Sequence, residues 1–96
     1  HLKDVVIDVG FGFGKTLEHN YQLLKDLSLF KNLDVPVLAG ISRKSMLYKP
    51  LHISAKEALN ATTSANTIAL LNGANILRVH DVKQAIEAVK IVDLLN

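Results

Sequence analysis

The chain has 96 residues, 49% of them hydrophobic, with a net charge of +2 and an isoelectric point near 9.0. That length holds a single soluble piece with one ordinary small core, not two domains. The mildly basic balance favours anionic ligands, but without a run of Lys and Arg and with few aromatic residues it is no nucleic-acid footprint. Cysteine is absent, which excludes a disulfide framework and thiolate metal sites and fits a cytoplasmic enzyme. The apolar runs are too short for a membrane span, and no signal peptide is readable. The sequence opens on His1 rather than Met, so it is expected to be a piece of something longer.

Val5, Val6 and Ile7 are consecutive β-branched residues, as in a strand buried on both faces of a parallel sheet, and predict a strand near 4–8. A glycine-rich turn follows. Leu17, Tyr21, Leu24 and Leu27 then recur at helical spacing, with Thr16 as N-cap. Residues 32–34 read as a loop. A second buried strand is expected over 35–41, with Pro36 near its start, where a missing N–H is tolerated. After a looser stretch holding Pro50, Ser54 and Glu57 have the spacing of a capping box. The helix expected from there is rich in Ala, Leu and Thr and stops at Gly73, a good C′ residue. Residues 75–79 give a third strand. Asp81 is expected to cap a last helix, with Ile86, Val89, Val92 and Leu95 close to one face.

The order β-α-β-α-β-α implies an α/β protein with a parallel sheet and right-handed crossovers. In such sheets ligands bind beyond the carboxyl ends of the strands. Three polar blocks lie there: Asp8-Val9-Gly10-Phe11-Gly12-Phe13-Gly14-Lys15, Ser42-Arg43-Lys44-Ser45 and Arg78-Val79-His80-Asp81. Random placement would scatter them over both ends. The rim they form suits a small, planar, polar molecule that carries an anionic group.

Each block admits a functional and a plainer reading. The glycine block is neither a Walker A loop nor a dinucleotide fingerprint, since Val9 stands where the first needs Gly and the spacing fails the second. It either comes close to a ligand and presents Phe11 and Phe13, or is a strand-to-helix turn whose phenylalanines pack inward. Asp8, at the end of a strand that reads as buried, either accepts from a ligand's amino and ring N–H groups or caps its own turn. Lys44 and Ser45 either reach a ligand, helped by free N–H groups if a helical turn begins at Ser45, or belong to a solvated basic loop. Arg78 and His80 alternate with Val79 and share a face. They either clamp phosphate oxygens, or Arg78 pairs with Asp81 or Asp8. His19 and His52 lack metal-ligand spacing and read as surface or packing residues.

Taken in order and spacing, the three blocks closely resemble dihydropteroate synthase over the whole chain. The resemblance implies a (β/α)8 TIM barrel of pterin-binding type. Residues 1–96 would be the C-terminal portion of that single domain, its last three β/α units, an incomplete barrel. It implies a transferase of folate biosynthesis that joins p-aminobenzoate to 6-hydroxymethyl-7,8-dihydropterin diphosphate, releases diphosphate and is a target of sulfonamides. Residue by residue, Asp8, Lys44 and Arg78 would bind the pterin. Phe13, Gly14, Lys44 and Ser45 would line the aminobenzoate pocket. Arg78, Val79 and His80 would hold the diphosphate, with Lys44, Arg78 and His80 as the catalytic set and no general base. Val9 stands where the family usually has Pro, and Ala61 where relatives often have Gly.

The resemblance places the Asn that holds Mg2+ in the earlier strands, so no metal ligand is expected in this segment. It implies small-molecule substrates, no nucleic acid, no membrane, and a cytoplasmic homodimer formed through late-barrel helices. A barrel needs about 250 residues, and three parallel strands leave two open edges. The isolated 96-residue chain is therefore expected to be inactive, aggregation-prone or partly folded. Two other functions fit parts of the pattern: a non-catalytic or methyl-transfer-type pterin-binding module, which needs Asp8 but no diphosphate clamp, and a small βα scaffold that binds phosphate generically.

Overall fold

In the computed structural model, residues 6–12 and 14–96 are described. The elements run β1 (Ile7–Asp8), α1 (Leu17–Lys25), a 3-10 helix (Asp26–Leu33), β2 (Val37–Ala39), α2 (Ser45–Tyr48), a 3-10 turn (Ala55–Glu57), α3 (Leu59–Leu71), β3 (Ile76–Leu77) and α4 (Val82–Asp93). The strands form one parallel sheet in the order β1-β2-β3, and among the described residues it does not close on itself. Ile7 pairs with Val37 and Asp8 with Leu38; Leu38 pairs with Ile76 and Ala39 with Leu77. The expected α/β alternation and parallel sheet are therefore present.

The strands are shorter than the sequence suggests, each pair sharing two register positions. Among the described residues only β2 has a neighbour on both sides, and Val37 and Ala39 are buried there. β1 and β3 each have one paired edge, and Val6 and Ile76 stay exposed, so the continuous burial expected of the first strand is absent at Val6. Residues 4 and 5 of that expected strand lie outside the described residues. Side chains prolong the sheet: Asn75 Oδ1 accepts the Val37 N–H at 2.9 Å.

The core gathers Phe11, Leu24, Leu27, Val37, Ile41, Met46 and Leu47 with Ala65, Ala69 and Ala74. Ala65 and Ala69 carry α3 into this core, and α3 packs mainly against α4. Thr16 caps α1, its hydroxyl accepting the His19 N–H at 3.1 Å, as the sequence predicts. Two expectations shift. Asn32 and Leu33 belong to the 3-10 helix, which ends at Asp34 with φ 54°. The Ser54–Glu57 capping box forms, but it opens the 3-10 turn. Ala58 breaks the path at φ −89° and ψ 17°, and α3 starts at Leu59.

The last helix keeps its expected apolar face, but its buried residues are others. Ala85 and Ala88 are its buried residues, because small side chains allow close approach. Ile86, Val89, Val92 and Leu95 share one face, as expected, and line an open groove of about 1250 Å3 beside Leu70, Leu77 and Val79. No described helix is long and apolar enough to cross a membrane.

Candidate functional site

The first block leaves β1 at Asp8. One carboxylate oxygen accepts the Gly10 N–H at 3.1 Å, closing the turn, and the other accepts from Arg78 Nη1 at 2.9 Å. Both plainer readings of the sequence, the turn cap and the Arg78–Asp8 pair, are thus realised. Asp8 is exposed rather than buried. The Gly10 N–H, and then the Arg78 guanidinium, hold its pKa below the ordinary carboxylate value. Phe11 turns inward and is 2% exposed, so it belongs to the core and is not presented to a ligand. Phe13 lies outside the described residues; Gly14 is exposed.

The glycine loop touches the second block at Lys44. Lys44 Nζ donates to the Phe11 carbonyl at 2.7 Å. Gly12 has φ +92°, and a Cβ there would meet Lys44 Cδ at 3.2 Å, so glycine lets the loop lie along the lysine stem. Burial first, then the charge of Arg78, push the Lys44 pKa below its usual value. Asn20 holds the loop from below: Oδ1 accepts the Gly12 N–H at 2.7 Å while Nδ2 donates to the Thr16 carbonyl. The next residue, Tyr21, donates its hydroxyl to the Met46 carbonyl at 2.7 Å, fixing α2.

After β2 the adjacent cations Arg43 and Lys44 part ways. Arg43 has a left-handed backbone, φ 55°. Its Nε and Nη2 bind the two oxygens of Asp81 at 3.0 and 2.9 Å, and Nη1 donates to the Ala55 and Lys56 carbonyls. Its backbone N–H goes to Thr62 Oγ1. Arg43 is a brace, and the cation left for a ligand is Lys44. The expected helical turn does begin at Ser45.

In the third block, Asp81 makes no cap bond to α4, contrary to the sequence expectation, because its carboxylate is engaged by Arg43. Ser42 Oγ lies 2.7 Å from His80 Nδ1 and accepts the His80 backbone N–H at 3.2 Å. Gly40, Ser42, Lys44, Arg78, Val79 and His80 enclose a recess of about 140 Å3. Gly40 leaves room there: a Cβ would displace the Arg78 guanidinium.

The structure thus brings Asp8, Lys44, Arg78, Val79 and His80 to one rim. His19 and His52 are exposed, on α1 and in a turn. Asn20, Tyr21 and Gly40 are supporting residues that the motifs did not single out. An Asn and a Tyr side by side on a helix beside a glycine loop were the available signal. Among the described residues, no group of three or more His, Cys, Asp or Glu could hold a metal ion.

The profile of the family described as pterin binding enzyme matches residues 1–80. The chain belongs to this pterin-binding family. Within it, the chain is similar to the dihydropteroate synthase of Escherichia coli K12, 45% identical over 89 residues that cover 93% of this chain and 32% of that enzyme. The Haemophilus influenzae dihydropteroate synthase is 43% identical over 89 residues, with the same shares. Among solved structures, the Yersinia pestis enzyme with a pterine–sulfa conjugate has a TM-score of 0.91 at 44% identity, over 94% of this chain and 36% of that one. A Coxiella burnetii dihydropteroate synthase in complex with pteroic acid has a TM-score of 0.90 at 40% identity, over 94% and 34%. The resemblance drawn from the three blocks therefore holds. The chain spans about a third of the length of the relatives it matches.

Proposed function

We propose that the full-length protein carrying this chain is a dihydropteroate synthase, with residues 1–96 forming the last three β/α units of a (β/α)8 barrel. The observation that carries this reading is the convergence of Lys44, Arg78 and His80 on one recess at the carboxyl ends of the strands, with Asp8 paired to Arg78 beside it. In the reaction the aminobenzoate nitrogen bonds to the pterin methylene carbon, the carbon–oxygen bond to diphosphate breaks, and the amine loses a proton.

Asp8 accepts from the pterin's amino and ring N–H edge. Arg78 lies near the pterin and, with His80 and the Val79 backbone, takes the diphosphate. Its pair with Asp8 is exposed, and exposed pairs are worth only about 0–1 kcal/mol. Arg78 can therefore turn from Asp8 to phosphate oxygens at small cost. Fixed cations aimed at the charge of the departing diphosphate lower the barrier most. Lys44, desolvated against the glycine loop, contacts the pterin and borders the aminobenzoate pocket with Phe13, Gly14 and Ser45. The pterin ring spreads the positive charge that develops on the methylene carbon, so the arylamine needs no strong base.

A magnesium ion belongs to this reading and would help neutralise the diphosphate. The family resemblance assigns its ligand to the earlier strands. A homodimer through the late helices and a cytoplasmic location complete the proposal.

Diphosphate release from the dihydropterin diphosphate, followed with and without p-aminobenzoate, tests it. Release that depends on aminobenzoate and is lost in Lys44→Ala supports the synthase. Pterin binding without release would overturn it in favour of a binding module.

A further inference from the structure

Two consecutive residues after β2 are tied to two consecutive residues after β3. Ser42 is bonded to the ring and the backbone of His80. Arg43 beside it holds both carboxylate oxygens of Asp81. Arg43 spends its remaining contacts on the Ala55 and Lys56 carbonyls.

Three local features of this arrangement run against local preference. Asp81 occupies a helix N-cap, a position that Asp fills well, yet makes no cap bond. Arg43 adopts a left-handed backbone, which a side chain with a Cβ disfavours. The polar Ser42 is buried. All three serve one result: the loop after β2 is fastened to the loop after β3. Lys44 follows Arg43 directly, and His80 directly precedes Asp81.

We infer that the paired links Ser42–His80 and Arg43–Asp81 form a brace that sets Lys44 and His80 in register, making Ser42, Arg43 and Asp81 positioning residues rather than ligands. This rests on the synthase reading for what Lys44 and His80 hold. Two substrates that meet at one carbon demand such register, because a misplacement of about 1 Å can cost a hundredfold in rate. The Ser42 link also sets the ring's orientation. The Ser42 oxygen accepts the His80 backbone N–H and meets ring Nδ1, so one hydroxyl fixes both the backbone and the imidazole of His80.

The test is titration of inorganic diphosphate into the full-length protein and into Asp81→Asn, His80→Ala and the double variant, beside their melting temperatures. Arg78 remains to bind the anion when His80 is removed. Asp81→Asn is expected to weaken diphosphate binding about tenfold when His80 is present and less than about twofold in His80→Ala. Should Asp81→Asn fail to fold, Ser42→Ala is expected to give the same pattern. A lower melting temperature with unchanged diphosphate affinity, or an equal loss in both backgrounds, would overturn the brace. An unsubstituted protein that binds no diphosphate would overturn the synthase reading, and the brace with it, before any substitution is compared.

Discussion

Arg78 Nη1 sits 2.9 Å from Asp8 Oδ2, joining the two outer strands of the sheet across the end of β2. The bond passes over Gly40, whose missing side chain makes the room. Gly40→Ala is therefore expected to push the guanidinium aside. The displaced group is the flexible end of a long side chain, so the loss of stability is expected to stay below about 1 kcal/mol, at the low end for overpacking. Diphosphate affinity should fall about tenfold. Calorimetric titration beside thermal melting separates the two effects.

The Gly10 N–H and the Arg78 guanidinium together give Asp8 a pH dependence with a definite sign. Asp8 has a folded pKa below its ordinary value of 3.8. Its contribution to stability is present above the unfolded value and is lost as pH falls through the folded one. Asp8→Asn should be less stable than the parent at neutral pH by at most about 1 kcal/mol, since the pair is exposed. The difference should close as pH drops below the ordinary value. Melting curves of both proteins between neutral and strongly acidic pH check this.

Asn20 is 4% exposed and bonds both the Gly12 N–H and the Thr16 carbonyl. Asn20→Ala leaves the half-buried Gly12 N–H without its partner, at a cost of about 1 kcal/mol. It also frees the glycine loop from its place against Lys44. The midpoint of urea unfolding should fall, and the KM for p-aminobenzoate should rise more than kcat falls.

Phe11 anchors the glycine loop in the core. Phe11→Ala should cost about 3–5 kcal/mol of unfolding free energy, while Phe11→Leu should cost much less and keep activity. A Phe11→Leu protein of normal stability that had lost aminobenzoate binding would contradict the inward placement.

The alternation of strands and helices was legible in the sequence because β-branched runs and helical spacing are local signals. Strand length was not, since register decides it: among the described residues each strand pair shares only two register positions, which no local pattern of apolar residues specifies. The rim was legible for the same local reason, as each polar block follows an apolar run. The division of labour within it was not. Arg43 and Lys44 are adjacent and chemically alike, and only the partner 38 positions away, Asp81, makes one a brace and leaves the other for a ligand. That distant bond also took Asp81 from the cap its local pattern predicts. Phe11 could face either way until the core around Leu24, Leu27 and Ile41 was assembled.

The central claim is that one rim holds the pterin through Asp8 and the diphosphate through His80. The most direct measurement titrates 6-hydroxymethyl-dihydropterin and inorganic diphosphate separately into the full-length protein, Asp8→Ala and His80→Ala. The account predicts a crossed pattern. Asp8→Ala should lose pterin affinity, by about 2 kcal/mol or more for a charged hydrogen-bonding partner, and keep diphosphate. His80→Ala should weaken diphosphate and keep pterin. Equal losses for both ligands in both variants, or none in either, would contradict it.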